Sequence, residues 1–196
     1  MEDKRLKEIY RKSIHIGSLI LPFSYRYLFH FNRKHTFLFL VPITLIFLII
    51  EVVRMEHRTF KRFFYNIFGI MLRKHEMHDF TGATYLFIST IICIAVFPRN
   101  IAFLSLSFLA IGDTFAAIVG IIFGKRKLLG TKKSLEGSIA CFISSFIFAL
   151  FYINPAIAFL GAFSATIAEF SRIPVDDNIK IPLLAGVVMS VFSIFV

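Results

Sequence analysis

The sequence predicts an all-α protein: a polytopic membrane bundle of about seven transmembrane helices. Three observations carry that prediction. Hydrophobic residues make up 57% of the 196-residue chain, with 26 phenylalanines among them. Charged residues make up only 17%, against about 25% in ordinary soluble domains. The apolar residues also fall in long runs divided by short, mostly basic connections. A soluble domain of this size has too little interior for so much apolar surface. The length suits one unit, so residues 1–196 are read as a single integral-membrane domain.

The runs, in order, are Ile14–Phe29, Thr36–Val53, Gly82–Phe97, Ile101–Phe123, Ser138–Ile153, Pro155–Phe170 and Ile181–Val196. Several are shorter than the ~20 residues of a straight span, which points to thin, tilted or partly re-entrant segments. A backbone in hydrocarbon must satisfy its own hydrogen bonds, which makes the runs helices; the alternating polarity of a β-barrel strand is absent. The basic start runs into the first segment without a small-residue cleavage site, so no cleavable signal peptide is expected. Cys93 and Cys141 lie in different runs and are expected as lipid- or core-facing thiols, not a disulfide.

Charge orients the bundle. With the N-terminus in the cytoplasm, the cations fall in the N-terminal arm, the second, fourth and sixth connections. Of the 22 Lys and Arg residues, only Arg26, Arg33, Lys34 and Arg99 fall on the opposite side. That is the positive-inside pattern. The formal net charge of +10 is then a topogenic signal and an attraction to anionic headgroups. It does not indicate nucleic-acid binding, because no soluble basic domain or stacking platform accompanies it. Arg54–Asp79 mixes cations with Phe60, Phe63, Phe64, Ile67, Phe68 and Met71, the pattern of an amphipathic helix on the cytoplasmic face. A homo-oligomer is compatible with such a bundle and is not specified by it.

Charges at membrane depth are costly, about 3 kcal/mol or more for a central carboxylate. Asp113 is such a residue, near the cytoplasmic end of Ile101–Phe123. It needs a cation, a metal or an inter-helix donor. The following loop, Gly124 to Gly137, holds three glycines, five cations (Lys125, Arg126, Lys127, Lys132, Lys133), Thr131, Ser134 and Glu136. Glycines admit close backbone approach, cations neutralise phosphate oxygens, and a helix starting at Ser134 or Glu136 favours anions. The loop therefore suits a polyphosphate, although it lacks Walker A spacing. Topogenic charge alone accounts for its lysines but not for its glycines and Glu136 together. For Gly120 and Gly124 the simpler reading is close helix packing. Arg11-Lys12 with His15, the group His75, Glu76, His78 and Asp79, and the group Glu169, Asp176, Asp177 and Asn178 face the same side. Paired acids beside a basic loop suit Mg²⁺, which takes one or two carboxylates plus phosphate oxygens.

The run Gly112-Asp113-Thr114-Phe115-Ala116-Ala117-Ile118-Val119-Gly120, then Gly124-Lys125 and Lys133-Ser134-Leu135-Glu136-Gly137-Ser138, resembles the family of dolichol kinases, phytol kinases and CTP-dependent diacylglycerol kinases. Arg11-Lys12 with His15, Thr81-Gly82-Ala83-Thr84-Tyr85, and Asp177-Asn178 before Ile181-Pro182 are similar to its other motifs. The resemblance implies transfer of the γ-phosphoryl group of CTP, or another nucleoside triphosphate, to a polyprenol, isoprenoid alcohol or diacylglycerol at the cytoplasmic face. Taken with the residues, it implies Asp113 as a metal ligand for Mg²⁺, with Glu136 or Asp177. It implies Lys132 and Lys133 as phosphate clamps, with Lys125, Ser134 and Gly137 in the same cradle. Asn178 would position a ligand, and an acid or His15 would take the hydroxyl proton. Phosphatidate cytidylyltransferases share part of the central pattern but usually carry a longer C-terminal signature than Asp177-Asn178. A small transporter would instead carry broken, polar helices at mid-membrane in both halves of the chain.

Overall fold

A computed structural model describes residues 11–12, 15–69, 72, 75–128 and 133–195. Lys4, Arg5, Lys7, Ser13, Met71, Arg73, Lys74, Gly130, Thr131 and Lys132 lie outside the described residues. Within them the protein is all-helical. The helices are α1 (Ile20–Phe23), α2 (Arg33–Glu56), α3 (Arg58–Phe68), α4 (Gly82–Val96), α5 (Arg99–Ile122), α6 (Leu135–Leu150), α7 (Pro155–Phe170) and α8 (Asp177–Phe192). A 3-10 turn, Gly17–Leu19, leads into α1, and a π-helical stretch, Ser24–Leu28, follows it.

Local chemistry sets the helix ends. Asn32 accepts the His35 N–H at 3.2 Å and starts α2. Ser134 accepts the Gly137 N–H at 3.1 Å and starts α6. Asn154 accepts the Ala156 N–H at 2.9 Å ahead of Pro155, the first residue of α7, and Asp176 accepts the Asn178 N–H at 2.9 Å and starts α8. Each satisfies one of the donors that a helix N-terminus leaves orphaned, and Pro155 has no N–H to lose.

Each of the seven apolar runs falls on a helix or helical stretch. Among the described residues two helices, α2 and α5, are long and apolar enough to cross a membrane. Helices α4, α6 and α7 are apolar but shorter, at 15, 16 and 16 residues. The two long helices differ in burial. The apolar window of α5 is 78% buried and that of α2 only 22%. Helix α5 is thus the central post, with every residue from Ile101 to Ala110 buried. Helices α6, α8, α7, α4 and α1 pack around it. Helix α2 stands at the periphery and exposes Leu38, Phe39, Leu45, Ile46, Ile49 and Val52.

The contact of α5 with α6 is made by small residues. A Cβ on Gly137 would lie 2.6 Å from the Ala116 carbonyl oxygen and 3.4 Å from Gly120 Cα. Only glycine permits that backbone approach. Gly120 and Gly124 both lie against Ser134, so the expected close packing at this pair is present. Cys93 and Cys141 are free and buried, both core-facing.

Candidate functional site

The C-terminal ends of α5 and α7 and the N-terminal ends of α6 and α8 enclose a polar cavity of about 320 Å³. Its charged lining is Arg11, Lys12, Asp113, Lys133, Glu169 and Asp177. Its floor is small because Ala116, Gly120 and Gly137 come there from α5 and α6. Small residues leave space between helices that otherwise touch.

Asp113 is 4% exposed. Its carboxylate accepts from Lys12 Nζ and lies 3.5 Å from His15 Nε2. Lys133 stands across the cavity. Its ammonium lies 3.0 Å from Glu169 Oε1 and 3.2 Å from Asp177 Oδ2, and it donates to the Glu169 carbonyl oxygen. Burial pulls the Lys133 pKa down, but the carboxylates of Asp177, Glu169 and Asp113 together outweigh it and hold the ammonium above its ordinary value. Lys180 takes the other oxygen of Asp177 at 2.8 Å, and Ser138 Oγ donates to Glu169 Oε2 at 3.4 Å. Cations and carboxylates alternate around one space.

Asp113, Lys133, Ser134, Gly137 and Asp177 thus line the polar cavity, with His15 against Asp113. Three other candidates stand elsewhere. Lys125 is exposed and lines neither this cavity nor its neighbour. Glu136 sits in the first turn of α6 and accepts the Arg126 N–H at 3.2 and 3.3 Å. Its own N–H and that of Arg126 hold its pKa below the usual carboxylate value against the opposing effect of burial. It fastens the loop, whose flanks also pair: Leu128 N–H donates to Lys133 O at 3.0 Å and Leu135 N–H to Arg126 O at 2.8 Å. Asn178 gives its amide to Asp176 Oδ1 at 2.6 Å and lines the neighbouring cavity. Lys132 lies outside the described residues. Among the described residues, no group of three or more His, Cys, Asp or Glu side chains is arranged to hold a metal ion.

The neighbouring cavity is larger, about 540 Å³, and mostly apolar. It lies between α1, α2, α3, α4 and the start of α8. Leu21, Phe47, Ile50, Phe64, Phe68 and Phe87 form most of its walls. Arg11 and Lys12 line both cavities, and His15 lines the apolar one. The charged residue Asp113 therefore stands at the seam between a polar and an apolar compartment.

A second buried ion pair supports that seam. Arg54 is 0% exposed and Glu51 2%. The guanidinium donates to Glu51 Oε2 (2.8 Å from Nε), to the carbonyls of Glu76 (2.7 Å) and Asp79 (2.6 Å), and to Tyr65 Oη (3.3 Å). Glu51 Oε1 accepts from Thr81 N–H (3.0 Å), Thr81 Oγ1 (2.5 Å) and Thr84 Oγ1 (3.2 Å). Glu76 Oε1 accepts the Gly82 N–H at 3.2 Å. This network ties α2, α3 and the segment before α4 into one unit. The sequence reading counted Arg54 as a topogenic cation and assigned no role to Glu51. The signal that could have found them is a Glu three residues before an Arg inside an apolar helix, where an unpaired charge is costly.

Comparison with known proteins follows the same lines. The chain is 27% identical over 213 residues to CTP-dependent diacylglycerol kinase 1 of Saccharomyces cerevisiae, covering 93% of this chain and 72% of that one. It is 27% identical over 176 residues to the Eremothecium gossypii protein of the same name, covering 76% of this chain and 56% of that one. A probable chloroplastic phytol kinase of Triticum aestivum is 37% identical over 123 residues, 52% of this chain and 41% of that one. The chain thus spans about half the length of two of these three relatives. No family model matches, and no solved structure does. The relatives to which the chain is similar, CTP-dependent diacylglycerol kinases and phytol kinases, bear the names of the family that the central motif resembles.

Proposed function

We propose that the chain is a multi-pass membrane kinase, one unit over residues 1–196, that phosphorylates a lipid alcohol with CTP at the cytoplasmic face. One observation carries the reading: a charged cavity and an apolar cavity meet at Arg11 and Lys12, beside Asp113. Phosphoryl transfer from a water-soluble nucleotide to a membrane alcohol requires such a meeting of compartments. The names of the diacylglycerol kinase relatives support CTP as donor. The exposed apolar faces of α2, α6 and α7 support a lipid surround, because patches of that extent are rare on soluble monomers. The placement of cations supports a cytoplasmic N-terminus.

In this reading the ion pairs of the polar cavity are exchangeable. A triphosphate entering it offers Lys12 and Lys133 stronger anions than the carboxylates they now face. The carboxylates thereby released, Asp113 and Asp177, suit Mg²⁺ shared with phosphate oxygens. That donor set fits the ion only together with the nucleotide, since the protein side chains alone form no closed cluster. Magnesium would supply charge neutralisation on the triphosphate. Lys133 and Arg11 position phosphate oxygens. The acceptor's hydroxyl comes from the apolar cavity to His15, which takes its proton. The alcohol oxygen bonds to the γ-phosphorus as the bond from that phosphorus to the bridging oxygen breaks. CDP leaves, and the product is a lipid monophosphate.

The test uses purified protein, lipid alcohols and CTP labelled separately in the γ-phosphate and the cytidine. The expected result is γ-label in the lipid with CDP as co-product. Cytidine label in the lipid with release of pyrophosphate would replace the kinase by a phosphatidate cytidylyltransferase.

A further inference from the structure

We infer that the apolar cavity selects its lipid alcohol by the first few carbons beside the hydroxyl and not by chain length, an assignment of the acceptor subsite that rests on the kinase reading above. The depth of the cavity carries the argument. Its polar mouth is marked by Arg11, Lys12 and His15. Along α4 the lining runs from Gly82 only as far as Phe87, about 7.5 Å at 1.5 Å per residue. Along α2 it runs from Glu51 only to Phe47, about 6 Å. At that level the Phe47 and Phe87 rings meet, their centroids 4.8 Å apart, and close the floor. Helix α2 continues to Arg33 and α4 to Val96 without lining the cavity.

Along the first helical stretch the lining runs from His15 to Leu21, about 9 Å, so the space is at most about two turns deep. Extended carbon chain advances a little less than its ~1.5 Å bond length per atom, so about six to seven carbons reach the floor. A long isoprenoid or acyl chain cannot be swallowed whole. Its remainder must leave sideways into the bilayer, and the aromatic pair at the floor never meets its far end. Bulk on the first carbons is what the walls feel, Phe64 and Phe68 of α3 among them. The cationic mouth suits the uncharged hydroxyl before transfer and the phosphate monoester after it.

Two photoreactive long-chain primary alcohols test this in wild-type protein in lipid nanodiscs without nucleotide. One carries its diazirine about six carbons from the hydroxyl, the other at the end of a much longer chain. The first is expected to label peptides containing Phe47, Phe64 and Phe87, and the second to spare them. Equal labelling of Phe47 and Phe87 by both probes, or no labelling of these peptides by either, overturns the inference. Ala83 supplies an independent arm, because it lines the cavity and is exposed, so a larger side chain there leaves the core intact. Ala83→Phe is expected to raise KM about tenfold for both short and long alcohols, with KM for CTP unchanged. A penalty confined to long chains, or none in the folded variant, overturns it as well. If wild-type protein is labelled as expected but transfers phosphate to no alcohol, the kinase reading fails and the cavity assignment stands.

Discussion

The two ends of the bundle hold cations in opposite ways. At the site end, Lys12, Arg54 and Lys133 each face a carboxylate: Asp113, Glu51, and the pair Glu169 and Asp177. At the other end Arg26 meets no carboxylate among the described residues. Its guanidinium lies over the rings of Tyr152 (4.7 Å), Phe103 (5.0 Å), Phe31 (5.3 Å) and Tyr27 (5.6 Å), and donates to Asn100 Oδ1 at 3.1 Å. Aromatic faces hold a cation without offering anything that a phosphate could displace. Carboxylates hold it more strongly but in exchange, since a more highly charged anion can take their place. The ends therefore differ in what their charges are for, and substitution at each should separate function from packing.

The largest effect is expected at Asp113. Asparagine keeps the shape and removes the charge. If the carboxylate takes part in binding the nucleotide's counter-ion, Asp113→Asn should lower kcat by about three orders of magnitude, some 4 kcal/mol, while the protein remains folded by circular dichroism and gel filtration. Near-normal turnover would reduce Asp113 to a helix-packing contact and erase the contrast between the two ends.

The Glu51–Arg54 pair is expected to matter for stability instead. Removing one partner leaves the other charge buried and alone, which costs about 3–5 kcal/mol. Arg54→Met should therefore lower the unfolding midpoint steeply in detergent. The double change Glu51→Gln with Arg54→Met should recover much of the loss, because no charge is then stranded. A double variant as unstable as the single one would mean that the carbonyl contacts of Arg54 to Glu76 and Asp79 dominate.

At the loop, Lys133 stands at a different depth from Lys125 and Arg126. Lys133 is half-buried among carboxylates, whereas Lys125 and Arg126 are exposed. Lys133→Gln should raise KM for CTP or lower kcat by about 10–100-fold, the worth of a charged hydrogen bond. Lys125→Gln with Arg126→Gln should change either by less than about twofold, as expected of exposed charges. The raised pKa of Lys133 keeps it protonated across the neutral range. Its ion-pair contribution is complete below the ordinary lysine value of about 10.4 and is lost only as pH rises through the raised one. A neutral-range pH dependence of turnover would then come from another group, and Lys133→Gln should leave its midpoint unchanged.

Much of this was legible in the chain, for physical reasons. The helical class was legible because long apolar runs leave the backbone to satisfy its own hydrogen bonds, although among the described residues only α2 and α5 are long and apolar enough to cross a membrane. Asp113 stood out because a lone acid in such a run demands a partner, although the sequence could not say that Lys12 supplies it across 101 residues. The loop lysines were harder. Charge count treats Lys125 and Lys133 alike, and only the return of α7 and α8 beside the loop separates them. Glu136 is ambiguous in the sequence because a carboxylate near a basic loop looks the same whether it binds a metal or caps backbone N–H groups, and the structure adds its bond from the Arg126 N–H. Glu51 and Arg54 escaped because a cation at the end of an apolar helix is usually topogenic, and burial is a tertiary property.

The smallest effect is expected at the opposite end, and it closes the comparison. Arg26→Met keeps length and apolar contact but removes the guanidinium from its four rings. A cation–π contact is worth about 0.5–2 kcal/mol, toward the upper figure when desolvated, and the hydrogen bond to Asn100 is exposed and adds little. The unfolding midpoint should fall by a few degrees at most, while kcat and both KM values per folded molecule stay within about twofold. Calorimetry and steady-state kinetics on one preparation decide it. A loss of turnover exceeding the loss of folded protein would show that the aromatic end communicates with the site through α5, which joins Phe103 to Asp113 along one buried helix. The division between a fixed end and an exchangeable end would then have to be abandoned.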